Sequence, residues 1–460
     1  MSASDASSAK DAEKGGLSST PAPVADTAAA FVSEHNPEYE RFLELDAHFQ
    51  GDNRKKFIRK LDWRLLPSLS FLYLMCSLDK SNAGNAKLFG FLTDVGMTAT
   101  QFNLAPMYLF FTYGLCEPVS NVMLRRLGPK AGLYPGSYFI LSSWYAPREL
   151  ATHMAIFYGA NTAAGAFGGV IAYGVGNLDG AHGWRAWKWL FLIEGVITMV
   201  AVPALDHDVI GRRLDHHAGQ DVALLFVARA RYNAGPNPPT YTFRWADVMA
   251  AAKDRKTYFM MMLFWWGGSI PTYSLSYTLP TMILNLGYTA VKAQALSMPP
   301  YIFATIVCVF VGWMSDRFQR RYYSIMSCYA LGLVGIVLLW ITVHYKRLAG
   351  VSYFAIFLAA AGYSAQAPIV GAWTAVNVLN PSKRAAAIGL LMLFGSVGGG
   401  SIGSNIYLAS EAPTYPLGFG FSVGATVLGA MIPATIHWWL MRRENRRRAA
   451  PCRRSTRRPS

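Results

Sequence analysis

Several ionisable and hydrogen-bonding side chains of this 460-residue chain sit inside or beside long apolar runs. There water cannot solvate them, and a charge at the middle of a bilayer costs about 2.5–3.5 kcal/mol or more. Such residues mark solute or ion pathways unless they pair or reach an interface. Asp79 and Lys80 follow the apolar stretch 65–78 and open the polar run that ends at Asn82. Lys80 offers a cation to a carboxylate; alternatively both residues snorkel to the outer interface. Glu117, ahead of Pro118 and Ser120 in a second apolar stretch, reads as a protonatable carboxylate or as a packing contact. Glu194 is expected to pair with Arg185 or Lys188, with proton coupling as the alternative. A further group comprises Trp265, Trp266, Gly267, Gly268, Ser269, Pro271, Thr272, Tyr273, Ser274, Ser276 and Tyr277. It mixes helix breakers with hydroxyls and aromatic faces, the composition of a discontinuous, cavity-lining helix. Asn161, Tyr363, Gln366, Asn377 and Asn405 are polar positions in apolar spans, facing a cavity or bonding across helices.

The elements that position these residues follow from composition. The chain is 53% hydrophobic and only 15% charged, and its mean hydropathy is +0.23. Apolar stretches recur from Leu65 to Leu440, most of them of the length that crosses a roughly 30 Å hydrocarbon core as a helix. They lack the period-2 alternation of barrel strands, so helices are predicted. The expected fold class is an all-α polytopic membrane protein with ten transmembrane helices and one short remnant. The spans are placed at 65–78, 102–124, 155–175, 187–205, 258–284, 293–314, 323–344, 351–379, 385–409 and 418–441. The remnant, 131–145, contains Pro135 and Gly136, is too short to cross, and is expected to lie re-entrant or at the interface.

Net charge is +16, yet the basic residues concentrate in alternate loops: Arg125, Arg126 and Lys130, then Arg148, then Arg317, Arg320 and Arg321, then Lys383 and Arg384. This asymmetry places those loops and both termini in the cytosol and argues against nucleic-acid binding. Residues 1–53 read as a disordered cytosolic tail, 54–205 as a first helix bundle, and 206–257 as a cytosolic linker. Residues 258–441 read as a second, six-helix bundle. The segment 442–460, with nine arginines against Glu444, reads as a cytosolic tail that associates with anionic headgroups. Five cysteines without CxxC spacing suggest neither disulfides nor zinc. His344 and His437 are isolated, no metal or cofactor is expected, and no hydrolase or phosphate-loop signature suggests an enzyme. Gly395, Gly398, Gly399, Gly400 and Gly403, like Gly418, Gly420 and Gly424, read as close-packing positions, because no strand precedes them for a nucleotide fold.

The basic loop 125–130 follows the second helix of the first half, and 312–321 follows the second helix of the second half, as duplication of a six-helix unit would leave them. Gly312 to Arg321 resembles the G-x-x-x-D-R-x-x-R-R loop of the major facilitator superfamily. Asp316 can cap a helix start while Arg317, Arg320 and Arg321 pair with it or with the neighbouring bundle, forming a latch. Other motifs are 78–86 (Leu-Asp-Lys-Ser-Asn-Ala-Gly-Asn-Ala), Glu117 to Asn121, Arg126 to Pro129, Trp184-Arg185 with Phe191 to Gly195, and Ala412 to Phe419. Together they resemble the fungal anion:cation symporter branch, which includes allantoate, nicotinate and biotin or pantothenate permeases, over residues 54–442.

The resemblance implies a twelve-helix, two-bundle, alternating-access transporter in the plasma membrane, coupling a small organic anion to protons and working as a monomer. Lys80 stands where the family has arginine, keeping the charge and losing the bidentate fork. The family's third helix and most of its fourth, roughly forty residues, are absent between Gly132 and Tyr134. An arginine and a glutamate of that fourth helix, implicated in anion binding and coupling, have no counterpart here. The competing expectation is therefore a transport-incompetent remnant or a receptor-like protein. An ion channel is disfavoured for want of a filter-like loop or charged ring.

Overall fold

The computed structural model describes residues 43–44, 47, 52–127, 133–206, 245–378, 381–412 and 414–455. Most of the expected tail 1–53, most of the linker 206–257, the loop residues 128–132 and the last residues of the arginine-rich tail lie outside them. Among the described residues every regular element is helical. The first half contains α1 (Asp52–Lys87), α2 (Phe91–Val95), α3 (Ala99–Leu127), α4 (Leu133–Trp144), α5 (Leu150–Gly176) and α6 (Ala186–Asp206). After α7 (Trp245–Ala252), α8 runs through Arg255–Met262, a π-helical turn at Leu263–Ser269, and Ile270–Asn285. Then follow α9 (Ala290–Phe318), α10 (Arg321–Thr342) and α11 (Ala349–Asn377). The last two, α12 (Pro381–Leu393 to Ser401–Gly403) and α13 (Pro416–Gly424 to Ile432–Ser455), each carry a π turn, at Phe394–Gly400 and Ala425–Met431.

Among the described residues six stretches are long and apolar enough to cross a membrane: Leu150–Gly176, Ala290–Phe318, Arg321–Thr342, Ala349–Asn377, Lys383–Gly403 and Pro416–Arg447. Apolar lipid tails offer no hydrophobic drive for one helix to bury against another, so close packing of small residues does that work. A Cβ on Gly362 of α11 would collide with the backbone of Gly332 on α10, and one on Gly312 of α9 with Ala155 of α5. The predicted close-packing glycines of α12 behave likewise: Gly395 admits the Phe264 ring, Gly398 the Trp265 ring and Gly400 the Phe110 ring.

Two expectations are corrected. Asp79 and Lys80 do not end the first helix, because α1 continues to Lys87. Its polar last turns stay helical through tertiary partners: Asn82 donates to Glu194, and Gly84 packs against the backbone of Tyr277. The glycine- and proline-rich segment of α8 is not unwound; its irregularity is absorbed by the π turn, and Pro271 sits in the first turn of the α-helical stretch that follows, where no amide hydrogen is needed. The remnant α4 packs inside the protein. Its twelve residues, ~18 Å of helix, insert among α1, α5, α11 and α12, burying Tyr138 and Leu141 completely.

Candidate functional site

Halfway along the long helices lies a closed cavity of about 70 Å³. From α1 it receives Tyr73, Ser77, Lys80 and Ser81; from α8, Ser269, Tyr273, Ser276 and Tyr277; from α5, Tyr158, Asn161, Thr162 and Gly165. On α1 the spacing is i, i+4, i+7 and i+8, which is one face of a helix, and on α8 Ser269, Tyr273, Ser276 and Tyr277 repeat it beside Phe264 and Thr272. Tyr134, Tyr301, Ser364, Gly395 and Ser396 are also among the lining residues. The wall is therefore built of tyrosines and hydroxyls, and Lys80 is its single charged residue.

Lys80 is held in place by aromatic and carbonyl contacts. Its Nζ lies 4.0 Å from the centre of the Tyr113 ring of α3, a cation–π contact. The Tyr277 hydroxyl donates to the Lys80 carbonyl at 3.2 Å, tying α8 to α1. One turn beyond Tyr113, the buried Glu117 accepts from Ser396 Oγ at 3.1 Å, while its second oxygen has no hydrogen-bond partner. Ser77 Oγ donates to Asn161 Oδ1 at 2.8 Å. One side of the cavity is aromatic: Tyr73 stacks between Tyr134 (4.9 Å) and Phe157 (4.7 Å).

Of the residues singled out from sequence, Lys80, Asn161, Ser269, Thr272, Tyr273, Ser276, Tyr277 and Gly395 meet at this cavity, and Glu117 stands behind it against Ser396. The others lie elsewhere. Asp79 is on the exposed side of α1. Glu194 is paired with Asn82 and not with a basic residue; Arg185 instead bridges Asp94 at 3.4 Å, and Lys188 lies over Trp187. The Tyr363 hydroxyl meets Thr426 Oγ1 at 3.0 Å, and Gln366 accepts from Tyr329 at 3.2 Å. Trp266 packs on Gly429 and Phe421. Asn377 and Asn405 donate to carbonyls one turn back, both at 2.9 Å.

At the end of the molecule that carries Arg317, Arg320 and Arg442, the loop between α9 and α10 reaches the other half. Asp316 accepts from the backbone amides of Ala151 (3.2 Å) and Thr152 (2.6 Å) and from Thr152 Oγ1 (2.8 Å). It thereby caps α5, where the unpaired amides and the helix dipole favour an anion. Arg321 lies 3.8 Å from Asp316 and donates to the carbonyls of Ala372 (2.5 Å) and Pro147. Gln319, in a left-handed conformation, donates to the Arg148 carbonyl at 3.2 Å. Arg317 and Arg320 point outward. Nearby, Asp62 of α1 accepts from the Tyr145 hydroxyl at 2.7 Å and faces His153 Nε2 at 3.1 Å.

Sequence reasoning missed the tyrosines at 73, 134, 158 and 301, the Asp62–Tyr145–His153 group and Gln319. The phase-matched Tyr73, Ser77 and Lys80 were a usable signal. Nothing local in the sequence pairs Asp62 with residues more than eighty positions away.

The profile described as Major Facilitator Superfamily matches residues 129–404, and the chain belongs to that superfamily. It is a membrane-embedded transporter of a small molecule and not an enzyme. It is 67% identical to the "MFS-type transporter cnsO" of Penicillium expansum over 462 aligned positions, covering 89% of this chain and 88% of that one. It is 27% identical to the "High-affinity nicotinic acid transporter" of Saccharomyces cerevisiae, covering 86% and 79%. Among solved structures, the proton:xylose symporter XylE bound to 6-bromo-6-deoxy-D-glucose superposes with a TM-score of 0.56 at 12% identity, over 81% of this chain and 95% of that one. That likeness supports the fold alone.

Proposed function

We propose that this protein is a proton-coupled symporter of a small organic anion, with Lys80 as the anion's counter-charge. The observation that carries the reading is the lone cation in a wall of tyrosines and hydroxyls. Such a wall suits a flat carboxylate, stacked on rings and anchored at one end. The printed name of the yeast relative, a nicotinic acid transporter, supports that class, and allantoate and pantothenate are the other members to test. Glu117, across Tyr113 from Lys80, is the proposed proton carrier: protonation frees Lys80 for substrate. The ten helices α1, α3, α5, α6 and α8 to α13 cross the plasma membrane with both termini cytosolic, in line with the alternating loop charges. The halves rock about the cavity in a monomer, with Asp316 and Arg321 closing the cytosolic side.

The test is uptake of labelled nicotinate, allantoate and pantothenate into cells expressing the chain, with and without an inward proton gradient to drive it. We expect saturable uptake of one of them, its loss in Lys80→Met and its partial retention in Lys80→Arg. Uptake unaffected by Lys80→Met would overturn the reading.

One observation favours a second reading, a transport-incompetent remnant. The twelve-residue α4 stands where two full helices are expected. The match to the Penicillium expansum transporter supports such a gap, because 89% of this chain is only about 410 residues of the 462 aligned positions. About 50 positions are then filled by the relative alone. No uptake of any solute by the chain, with uptake restored when helices three and four are inserted at 132–134, would favour that reading.

A further inference from the structure

At the basic end, a groove of about 790 Å³ opens between the α9–α10 loop, α11 and α13, well away from the central cavity. Its polar rim is cationic: Arg320, Arg442 and Arg446 line it, and among the described residues no carboxylate does. Arg321 is the fourth arginine, already committed to the Pro147 and Ala372 carbonyls. The nearest acid of α13, Glu444, is held by Lys256 at 2.9 Å. The remaining three guanidinium groups have no ion-pair partner among the described residues, and their planar forks match phosphate oxygens.

The rest of the groove is aromatic and apolar. Tyr322 stacks on Trp438 at 4.9 Å and 18°, and the Arg442 guanidinium lies 5.1 Å from the Trp438 ring. Trp373, Val376 and Met441 complete this surface. A cationic rim above an aromatic, apolar floor fits a ligand that is charged at one end and greasy at the other. The groove also lies where the apolar span Pro416–Arg447 ends, at the depth of lipid headgroups.

We propose that this groove binds the phosphate headgroup of an anionic phospholipid. The three arginines hold the phosphate, and Trp438 with Tyr322 receives the glycerol and the first methylenes. Pro147 of the first half forms part of the wall, so the complete groove exists only while the two halves are docked at this end. A bound headgroup therefore favours that docked conformation.

The test is native mass spectrometry of the detergent-purified full chain titrated with dioleoyl phosphatidic acid, with dioleoyl phosphatidylcholine, and with glycerol 3-phosphate as soluble competitor. We expect phosphatidic acid to bind at least tenfold more tightly than phosphatidylcholine. Arg320→Gln/Arg442→Gln/Arg446→Gln should abolish that preference, whereas Arg453→Gln/Arg454→Gln/Arg457→Gln in the tail should keep it. The single change Arg446→Gln, at an exposed position, should weaken binding about fivefold without disturbing the fold. Equal losses from the groove and tail triples, or an unchanged affinity in Arg446→Gln, would overturn the site. Full displacement by glycerol 3-phosphate at concentrations matching the lipid would overturn its assignment to lipid.

Discussion

Two carboxylates show how one side chain type serves different ends according to its neighbours. Asp316 spans the two halves, and each charge-assisted hydrogen bond it accepts contributes about 1.5–3 kcal/mol. Asp316→Asn keeps the shape and loses the charge, so the closed end should open more often. We expect a cysteine introduced at Ser81 to be alkylated at least tenfold faster from that side in the Asp316→Asn background. Asp254 works outside the membrane. It caps α8 through the Lys256 amide and meets Lys383 at 2.6 Å. Burial opposes its ionisation, but the Lys383 and Lys256 contacts prevail and lower its pKa below 3.8. Its stabilising share is therefore complete above the ordinary carboxylate range and lost as pH falls through the lowered value. Asp254→Asn should cost about 1 kcal/mol or less at pH 7, and in melting curves the difference from the parent should shrink as pH falls through the lowered value. Lys80 was legible in the sequence as a charge beside an apolar run. The partner of Glu194 was not, because Asn82 lies more than a hundred residues away and the nearby Arg185 and Lys188 offered a simpler answer that Asp94 and Trp187 in fact take up.

Helix existence and order followed from apolar runs of bilayer length, which is why the long elements fall close to the expected positions. Their irregularities were less accessible. Glycine and proline in α8 signal a weakened helix, but whether the backbone unwinds or adds a π turn depends on what packs beside it. Here the π turn of α8 packs against those of α12 and α13. The burial of α4 was equally hidden, since its short length suggested a re-entrant or interfacial position, while its Tyr134 and Tyr138, with Tyr145 just beyond its end and Tyr73 of α1, pack inside the protein. At the α10–α11 contact the spacing of the helices is set by missing side chains. Gly362→Leu would drive a side chain into the Gly332 backbone, and we expect loss of the monodisperse peak in size-exclusion chromatography, whereas Gly350→Leu, in open space, should leave it unchanged.

For the whole molecule, the clearest check is the mature transcript across the codons for Pro129 to Gly136. A transcript with about forty further residues there, room for two ~20-residue spans, would assign transport to the longer form; a transcript matching this chain, together with absent uptake, would leave the remnant reading standing. The two seams between halves are smooth. On one, Gly165 and Gly169 of α5 lie under Tyr301 and Ser297 of α9; on the other, Gly114 of α3 lies against Val397. The rings that do cross between the halves, Phe110 at Gly400 and Tyr138 at Gly371, likewise seat on bare glycine backbone. In the proposed transporter the seams would act as a bearing and the Asp316 and Arg321 contacts at the basic end as the bolt, so that single substitutions there would retune the balance between inward and outward forms without touching the cavity.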